Sequence, residues 1–205
     1  MNDHPLIVGL GGTLRPGSSS ERALAIALES AGACGARTQL FGAADLQLPL
    51  YAPESPDRSA EAARLVEALS RADGVIVASP GYHGGVSGLV KNALDYTEDL
   101  RDTPRVYFDG MPVGCIATAA GWQATTTTLQ ALRAIVHALR GWPSPLGVTI
   151  NTSAVPVEDP AVVEQLRLLG QQVTEQARLR LLGPVIRNQI VQDQLAVRKA
   201  AQAGR

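Results

Sequence analysis

Three short runs of this chain, Leu6–Leu10 (LIVGL), Gly74–Ala78 (GVIVA) and Val113–Ala117 (VGCIA), are apolar at every position and run into glycine or other small residues. A strand that is apolar on both faces needs cover on both, and the parallel sheet between two helical layers is the architecture that supplies it. The intervening segments have the matching helical spacing. SERALAIALESAGA follows the first run, with Ser20 expected as its cap and Glu21 in the favourable first turn. Ser59–Ala72 carries Ala62, Leu65, Val66 and Leu69 on one side, LVKNALDYTEDL reads as a helix after the second run, and Thr127–Leu139 as another after the third. Arg37–Phe41 reads as an edge-leaning strand and Gly147–Ile150 as a weaker one. A final helix from about Asp159 to Leu182 presents Val162, Leu166, Leu169, Val173 and Ala177 as a buried stripe. Regular βα alternation with right-handed crossovers predicts a doubly wound α/β domain with helices on both faces.

The 205 residues suit one such domain, expected over residues 1–183, with a tail over 184–205 that stays open between a packing helix and a frayed, partly disordered arm. A formal net charge of −1 carries no bulk signature for nucleic acid or an anionic membrane. Cys34 and Cys115 are far apart and lack metal-ligand spacing, so both read as small apolar residues rather than a disulfide or metal site. MNDHPLIVGLGG lacks a basic leader, and no stretch reaches the ~18 apolar residues of a membrane span, so a cytoplasmic location is expected.

In a parallel sheet, ligands bind at the carboxyl ends of the strands, where three loops fall: residues 12–20, 79–88 and 118–124. The first combines the hydroxyls of Thr13, Ser18, Ser19 and Ser20 with glycines, the guanidinium of Arg15 and the positive end of the following helix. That set suits a phosphate. Gly12–Ser19 has the Walker A frame with serine where lysine is needed, which argues against nucleoside triphosphate hydrolysis. Gly9-x-Gly11-x-x-Leu14 lacks the third glycine of the dinucleotide fingerprint. A single terminal phosphate held without metal, as in FMN, remains. The second loop, SPGYHGGVSG, sets Tyr82 and His83 among four glycines. The third, ATAAGWQ, sets one indole, Trp122, beside very small residues. Glycine-lined loops let a flat ring approach backbone donors, and aromatics can cover its face. Together the three describe a flavin pocket.

GTLRPGSSS with SPGYHGGVSGLVKNALDY resembles the NAD(P)H-dependent FMN reductases, over roughly residues 5–155. The resemblance implies a flavodoxin-like five-stranded sheet in the order 2-1-3-4-5. It implies that Thr13, Arg15, Ser18 and Ser20 bind the FMN phosphate, and that Pro80, Gly81, Tyr82, His83 and Gly84 lie along the isoalloxazine and ribityl chain. Thr118, Ala119, Ala120 and Gly121 complete the pocket, with the amides of Ala120 and Gly121 as donors to the reduced ring. Thr13 stands in place of a common serine and Ser20 in place of a frequent asparagine. Gly81 and His83 stand where several relatives have Glu and Asn. GWPSPLG looks closer to reductases that supply reduced flavin to alkanesulfonate-type monooxygenases.

The expected activity is hydride transfer from NADPH or NADH to FMN and onward to a second acceptor: free flavin supplied to a monooxygenase, or alternatively a quinone, azo compound or chromate. No catalytic side chain or metal ligand is expected, because the cofactor carries the chemistry and the scattered histidines form no acid–base dyad. Lys91, Asn92, Asp95 and Tyr96 lie on an element that meets a partner subunit in the family, which implies a homodimer or homotetramer. A non-enzymatic electron carrier is the competing class, and the small net charge offers little acidic docking surface for one. A phosphate-ligand sensor without redox chemistry is a third.

Overall fold

The structure, a computed structural model, describes the backbone of residues 4–203 and the side chains of residues 4–183. The chain runs β1 (Leu6–Gly11), α1 (Ser19–Ala33), β2 (Arg37–Phe41), α2 (Ala60–Arg71), β3 (Gly74–Tyr82) and β4 (Gly85–Val86). It continues through α3 (Gly88–Asp95), a 3-10 turn (Tyr96–Leu100), β5 (Pro112–Ala119), α4 (Trp122–Ala138), β6 (Trp142–Asn151) and α5 (Pro160–Ala203). Five strands form one parallel sheet in the order β2-β1-β3-β5-β6, and β4 is a short antiparallel arm on the end of β3. The five-strand order expected from the family is therefore present, with the β4 arm as an addition.

The continuous apolar runs divide their side chains between two cores. Val8, Val75, Val77 and Cys115 face Leu65 and Leu69 of α2, Val90 of α3 and Leu132 of α4. Ile7, Ile76, Ile116 and Val148 face Leu24 and Leu28 of α1 and Leu166, Leu169 and Val173 of α5. Alternate residues of one strand thus enter opposite layers. Cys115 is buried, and its thiol pKa is pushed up to about 12 by that burial. Cys34 is half-buried at the end of α1.

Several boundaries differ from the sequence reading. The cap of α1 is Ser18, whose Oγ accepts from the Glu21 amide, and Ser20 lies inside the helix. β3 runs four residues beyond Ala78 because β4 pairs with its end. β6 starts at Trp142 despite Pro143 and Pro145, which an edge strand accommodates on its unpaired side. α4 starts at Trp122, five residues earlier than expected, and the hydroxyls of Thr125, Thr126 and Thr127 donate back to the carbonyls of Trp122 and Gln123. The helix expected from Leu89 to Leu100 tightens into the 3-10 turn after Asp95. α5 passes through Gly183–Pro184 to Ala203, and the absent N–H of Pro184 leaves the Arg180 carbonyl without its ladder donor. Of the tail, residues 204–205 lie outside the described residues.

Within the chain, the element expected to meet a partner, α3 with its 3-10 turn, holds the long connection between β2 and α2. The Asn92 Oδ1 accepts from the Tyr51 amide at 2.9 Å, and its Nδ2 donates to the Pro49 carbonyl at 2.8 Å. Tyr96 donates to the same carbonyl at 3.0 Å. Lys91 pairs with Asp95 one turn on, at 2.5 Å. Arg58 closes the connection with two bonds to Asp99, Nε to Oδ2 at 2.7 Å and Nη2 to Oδ1 at 2.9 Å, while its guanidinium lies over Tyr51.

Candidate flavin site

β1, β3 and β5 end side by side, so their loops share the carboxyl edge of the sheet where strand order reverses. In the first loop Gly12 and Gly17 take positive φ values of 118° and 67°, folding the chain back over the start of α1. Thr13 organises the turn by accepting from the Arg15 amide at 3.1 Å. The Ser18 and Ser20 hydroxyls are buried and 3.4 Å from each other, and that of Ser18 is already used as the helix cap. What they leave available is backbone: the amides of Ser18, Ser19 and Ser20 have no acceptor among the described residues. The Arg15 side chain is exposed and makes no hydrogen bond or ion pair among the described residues. Successive free amides, a helix amino end and an unengaged guanidinium form a donor set for one phosphate.

The second loop is a tight hairpin. Tyr82 pairs with Gly85, and the two residues between them, His83 and Gly84, both have positive φ, 52° and 81°, the geometry of a two-residue reverse turn. Ser79 fixes its base, its Oγ donating to the Pro80 carbonyl at 2.8 Å and accepting from the Ser87 amide at 3.0 Å. Pro80 is buried. Gly81 has a packing reason to be glycine: a Cβ there would stand 2.5 Å from the Thr128 Oγ1 and 3.2 Å from the Ala124 carbonyl of α4. A glutamate would not fit this arrangement.

In the third loop Thr118 and Ala119 are buried at the end of β5, and the Ala119 carbonyl accepts from the Thr152 amide at 2.8 Å. Ala120 and Gly121 turn the chain into α4. Gly121 is the cap residue and offers no side chain, so the amides of Trp122, Gln123 and Ala124 have no acceptor among the described residues, nor do those of Ala120 and Gly121. This helix end is open to a ligand's oxygen atoms.

Two clefts flank the Tyr82 hairpin. One, of about 410 Å³, lies between Thr13, Leu14 and Arg15 on one side and Tyr82 with Ser87–Leu89 on the other. The second, of about 560 Å³, lies between Gly81, His83 and Gly84 and the α4 start at Ala119–Gly121. Leu14, Tyr82 and Trp122, 60, 55 and 58% exposed, stand as apolar side chains along this edge. Thr13, Arg15 and Tyr82 thus line one cleft, and Gly81, His83, Gly84, Ala119, Ala120 and Gly121 line the other. Ser18, Ser20, Pro80 and Thr118 lie beneath. The helix start near Ser87–Gly88, expected from the sequence to offer amides to a ring edge, lines the first cleft, whereas sequence reading passed over Leu14 and Gln123 and gave Glu21 no part in the loop. The Ser18-x-x-Glu21 spacing of a capping box was the available signal for the last. Among the described residues, no group of three or more His, Cys, Asp or Glu is placed to hold a metal, and no helix is long and apolar enough to cross a membrane.

A phosphate-type anchor and an open helix end at the switch point of a doubly wound sheet define a flavodoxin-like mononucleotide protein. The sequence model of the NADPH-dependent FMN reductases matches residues 5–154, and the chain belongs to that family. It is an NAD(P)H-dependent FMN oxidoreductase, and the donors of the two clefts suit FMN: one set for its phosphate, the other for the oxygen edge of a ring. An NADPH azoreductase from Bacillus sp. (strain OY1-2) is 28% identical over 141 residues, 68% of this chain and 75% of that one. An FMN-dependent NADPH-azoreductase from Staphylococcus aureus (strain USA300) is 36% identical over 89 residues, 43% of this chain and 44% of that one. Among solved structures, an oxidoreductase from Corynebacterium diphtheriae matches with a TM-score of 0.66 at 20% identity, covering 85% of this chain and 97% of that one. The apo form of an NADH:FMN oxidoreductase matches with a TM-score of 0.63 at 22% identity, covering 86% and 89%. These structural likenesses concern the fold.

Proposed function

We propose that this chain passes electrons from a nicotinamide, through FMN held across the Tyr82 hairpin, to a planar aromatic acceptor of the azo or quinone class. The observation that carries the reading is the row of exposed Leu14, Tyr82 and Trp122 along the edge that holds the two clefts, with Leu14 and Tyr82 lining the first. An apolar, aromatic rim favours flat, weakly hydrated acceptors over small oxyanions. The names of the azoreductase relatives support the same class.

FMN, when bound, supplies hydride acceptance and the return of two electrons to the acceptor. The chain's own part is placement. Arg15 and the amides of Ser18–Ser20 hold the phosphate. The open amides from Ala120 to Ala124 donate to the ring's oxygen edge and stabilise negative charge there. Pro80, Gly81, His83 and Gly84 shape the cleft floor, Thr118 and Ala119 support it from β5, and Tyr82 and Trp122 keep water from the ring faces.

A second reading, reduction of free flavin for a monooxygenase, is favoured by one observation: a carboxylate, that of Glu21, stands within the phosphate anchor. One experiment addresses both. FMN is titrated into the purified protein, and NADPH and NADH are then supplied separately under anaerobic conditions, with either an azo dye or excess free FMN as acceptor. Rapid bleaching of the dye at FMN stoichiometric with protein supports the aromatic-acceptor reading. Turnover that rises only with free FMN supports flavin supply, and inertness toward both nicotinamides overturns the two together.

A further inference from the structure

We propose that the Glu21 carboxylate competes with the FMN phosphate for the amino-terminal anchor, and so makes the bound flavin exchangeable. The inference rests on the reading that the loop over residues 12–20 holds the phosphate. Ser18 and Glu21 stand at the cap and third positions of α1, the two partners of a capping box, and the Glu21 amide donates to the Ser18 Oγ at 3.4 Å. In the usual form of that motif the acidic side chain returns to the amide of the cap residue itself. Here it reaches one residue further, and the Glu21 Oε2 accepts from the Gly17 amide at 3.0 Å. The carboxylate consequently leans over the loop instead of closing the helix end beneath it.

Glycines make the room. A Cβ at Gly42, just past the end of β2, would stand 2.6 Å from the Glu21 Oε1, and one at Gly12 would stand 3.8 Å from its Oε2. The charge has no local cation. Among the described residues no Lys, Arg or His lies within ion-pair distance of Glu21. Its neighbour Arg22 is engaged elsewhere, with Glu158 at 2.9 Å and with the Gly17 carbonyl at 2.9 Å. The carboxylate is held by a loop amide and the positive end of α1, the same kinds of group that a phosphate would draw on. A phosphate seated there must either displace it or bear its repulsion. Riboflavin, which has the same ring and no phosphate, is indifferent to it.

The test compares affinities for FMN and riboflavin, read by quenching of flavin fluorescence on the flavin-free full chain, in wild type, Glu21→Gln and Arg15→Ala. Glutamine keeps the acceptor for the Gly17 amide and removes only the charge. Glu21→Gln is expected to bind FMN on the order of tenfold more tightly, to release it correspondingly more slowly in a stopped-flow chase, and to bind riboflavin as wild type does. Arg15→Ala is expected to lower the preference for FMN over riboflavin. If that preference falls in Arg15→Ala but is unchanged in Glu21→Gln, competition is overturned and the anchor stands. If it is unchanged in both, the anchor reading fails and the competition with it. Equal shifts for the two flavins in Glu21→Gln assign Glu21 a purely structural role and also overturn the proposal. Should Glu21→Gln not fold, Glu21→Ala is measured by the same ratio.

Discussion

Of the helices that begin at the carboxyl edge of this sheet beside the clefts, α1 and α4 have first turns finished in opposite ways. α1 carries its own acceptors at the start: Ser18 accepts from the Glu21 amide and the Glu21 side chain from Gly17, with only the Ser18–Ser20 amides left free among the described residues. α4 is closed by nothing, since its cap is Gly121 and its first amides have no acceptor among the described residues. A helix end that holds a carboxylate of its own sets that charge against any incoming anion, whereas an end without one gains a hydrogen bond from every ligand oxygen it meets. With FMN placed as proposed, the two ends would divide the flavin between them. The α1 end would discriminate by charge and decide how long the phosphate stays, and the α4 end would hold the ring, with or without a phosphate.

The most severe way to break this division is to separate the strands that carry the loops. Gly11 pairs with Ala78, and a methyl group at Gly11 would run into the Ala78 carbonyl oxygen. Gly11→Ala is expected to cost about 3 kcal/mol, which lowers Tm by roughly 6–12 °C and abolishes discrimination between FMN and riboflavin. Thermal unfolding monitored by circular dichroism checks the first, and flavin titration the second. Arg15→Ala acts on the α1 side alone. Loss of a charge-assisted contact to phosphate should weaken FMN binding on the order of thirtyfold with Tm unchanged, and equal losses for riboflavin would show that Arg15 serves the fold.

The α4 side is sharpened by removing a donor without disturbing the helix. Proline is tolerated at the first helical position, and Gly121, with ψ at 146°, already has the extended backbone that precedes a proline. Trp122→Pro compared with Trp122→Ala isolates one amide N–H. The proline variant should bind FMN and riboflavin each about fivefold more weakly than the alanine variant. An effect confined to FMN would place the phosphate at α4 and reverse the assignment of the two ends.

This contrast was only half legible in the sequence. The layered fold was readable, because LIVGL, GVIVA and VGCIA have too few polar residues for anything but strands covered on both sides. The three loops followed from it. The start of α4 was hidden because the threonine run after Trp122 has poor helix propensity, and the back-bonding hydroxyls that stabilise it belong to the folded turn. Choosing Ser20 as the cap of α1, when three serines stand in a row, concealed the Ser18–Glu21 box two positions earlier. Lys91, Asn92, Asp95 and Tyr96 illustrate a different limit. The family resemblance suggests a partner for this element, but only the path of the β2–α2 connection shows what Asn92 and Tyr96 hold within the chain. The edge strand β6 was readable over its Gly147–Ile150 part alone, since Pro143 and Pro145 mask pairing that depends on which side of the strand is free.

The smallest expected effect lies away from both helix ends, and it tests whether their behaviour is local. Arg58 and Asp99 clamp the β2–α2 connection, and the hydrogen bonds from Arg58 hold the Asp99 carboxyl below its ordinary value, against the opposing influence of partial burial; Tyr51 adds a weaker bond in the same direction. A carboxyl whose native pKa is depressed binds protons more readily in the unfolded chain, so its stabilisation is complete above the unfolded value of about 4 and is lost as pH falls through the lower native value. Asp99→Asn removes that contribution. At neutral pH the variant should melt about 2–4 °C below wild type, the modest effect of a partly exposed pair, and the gap should close as the pH is lowered below about 4. Its affinities for FMN and riboflavin should match those of wild type in ratio and in size. A gap that widened on acidification would mean that Asp99 is not the ionised partner at neutral pH, and a change in the flavin ratio would couple this clamp to the α1 end.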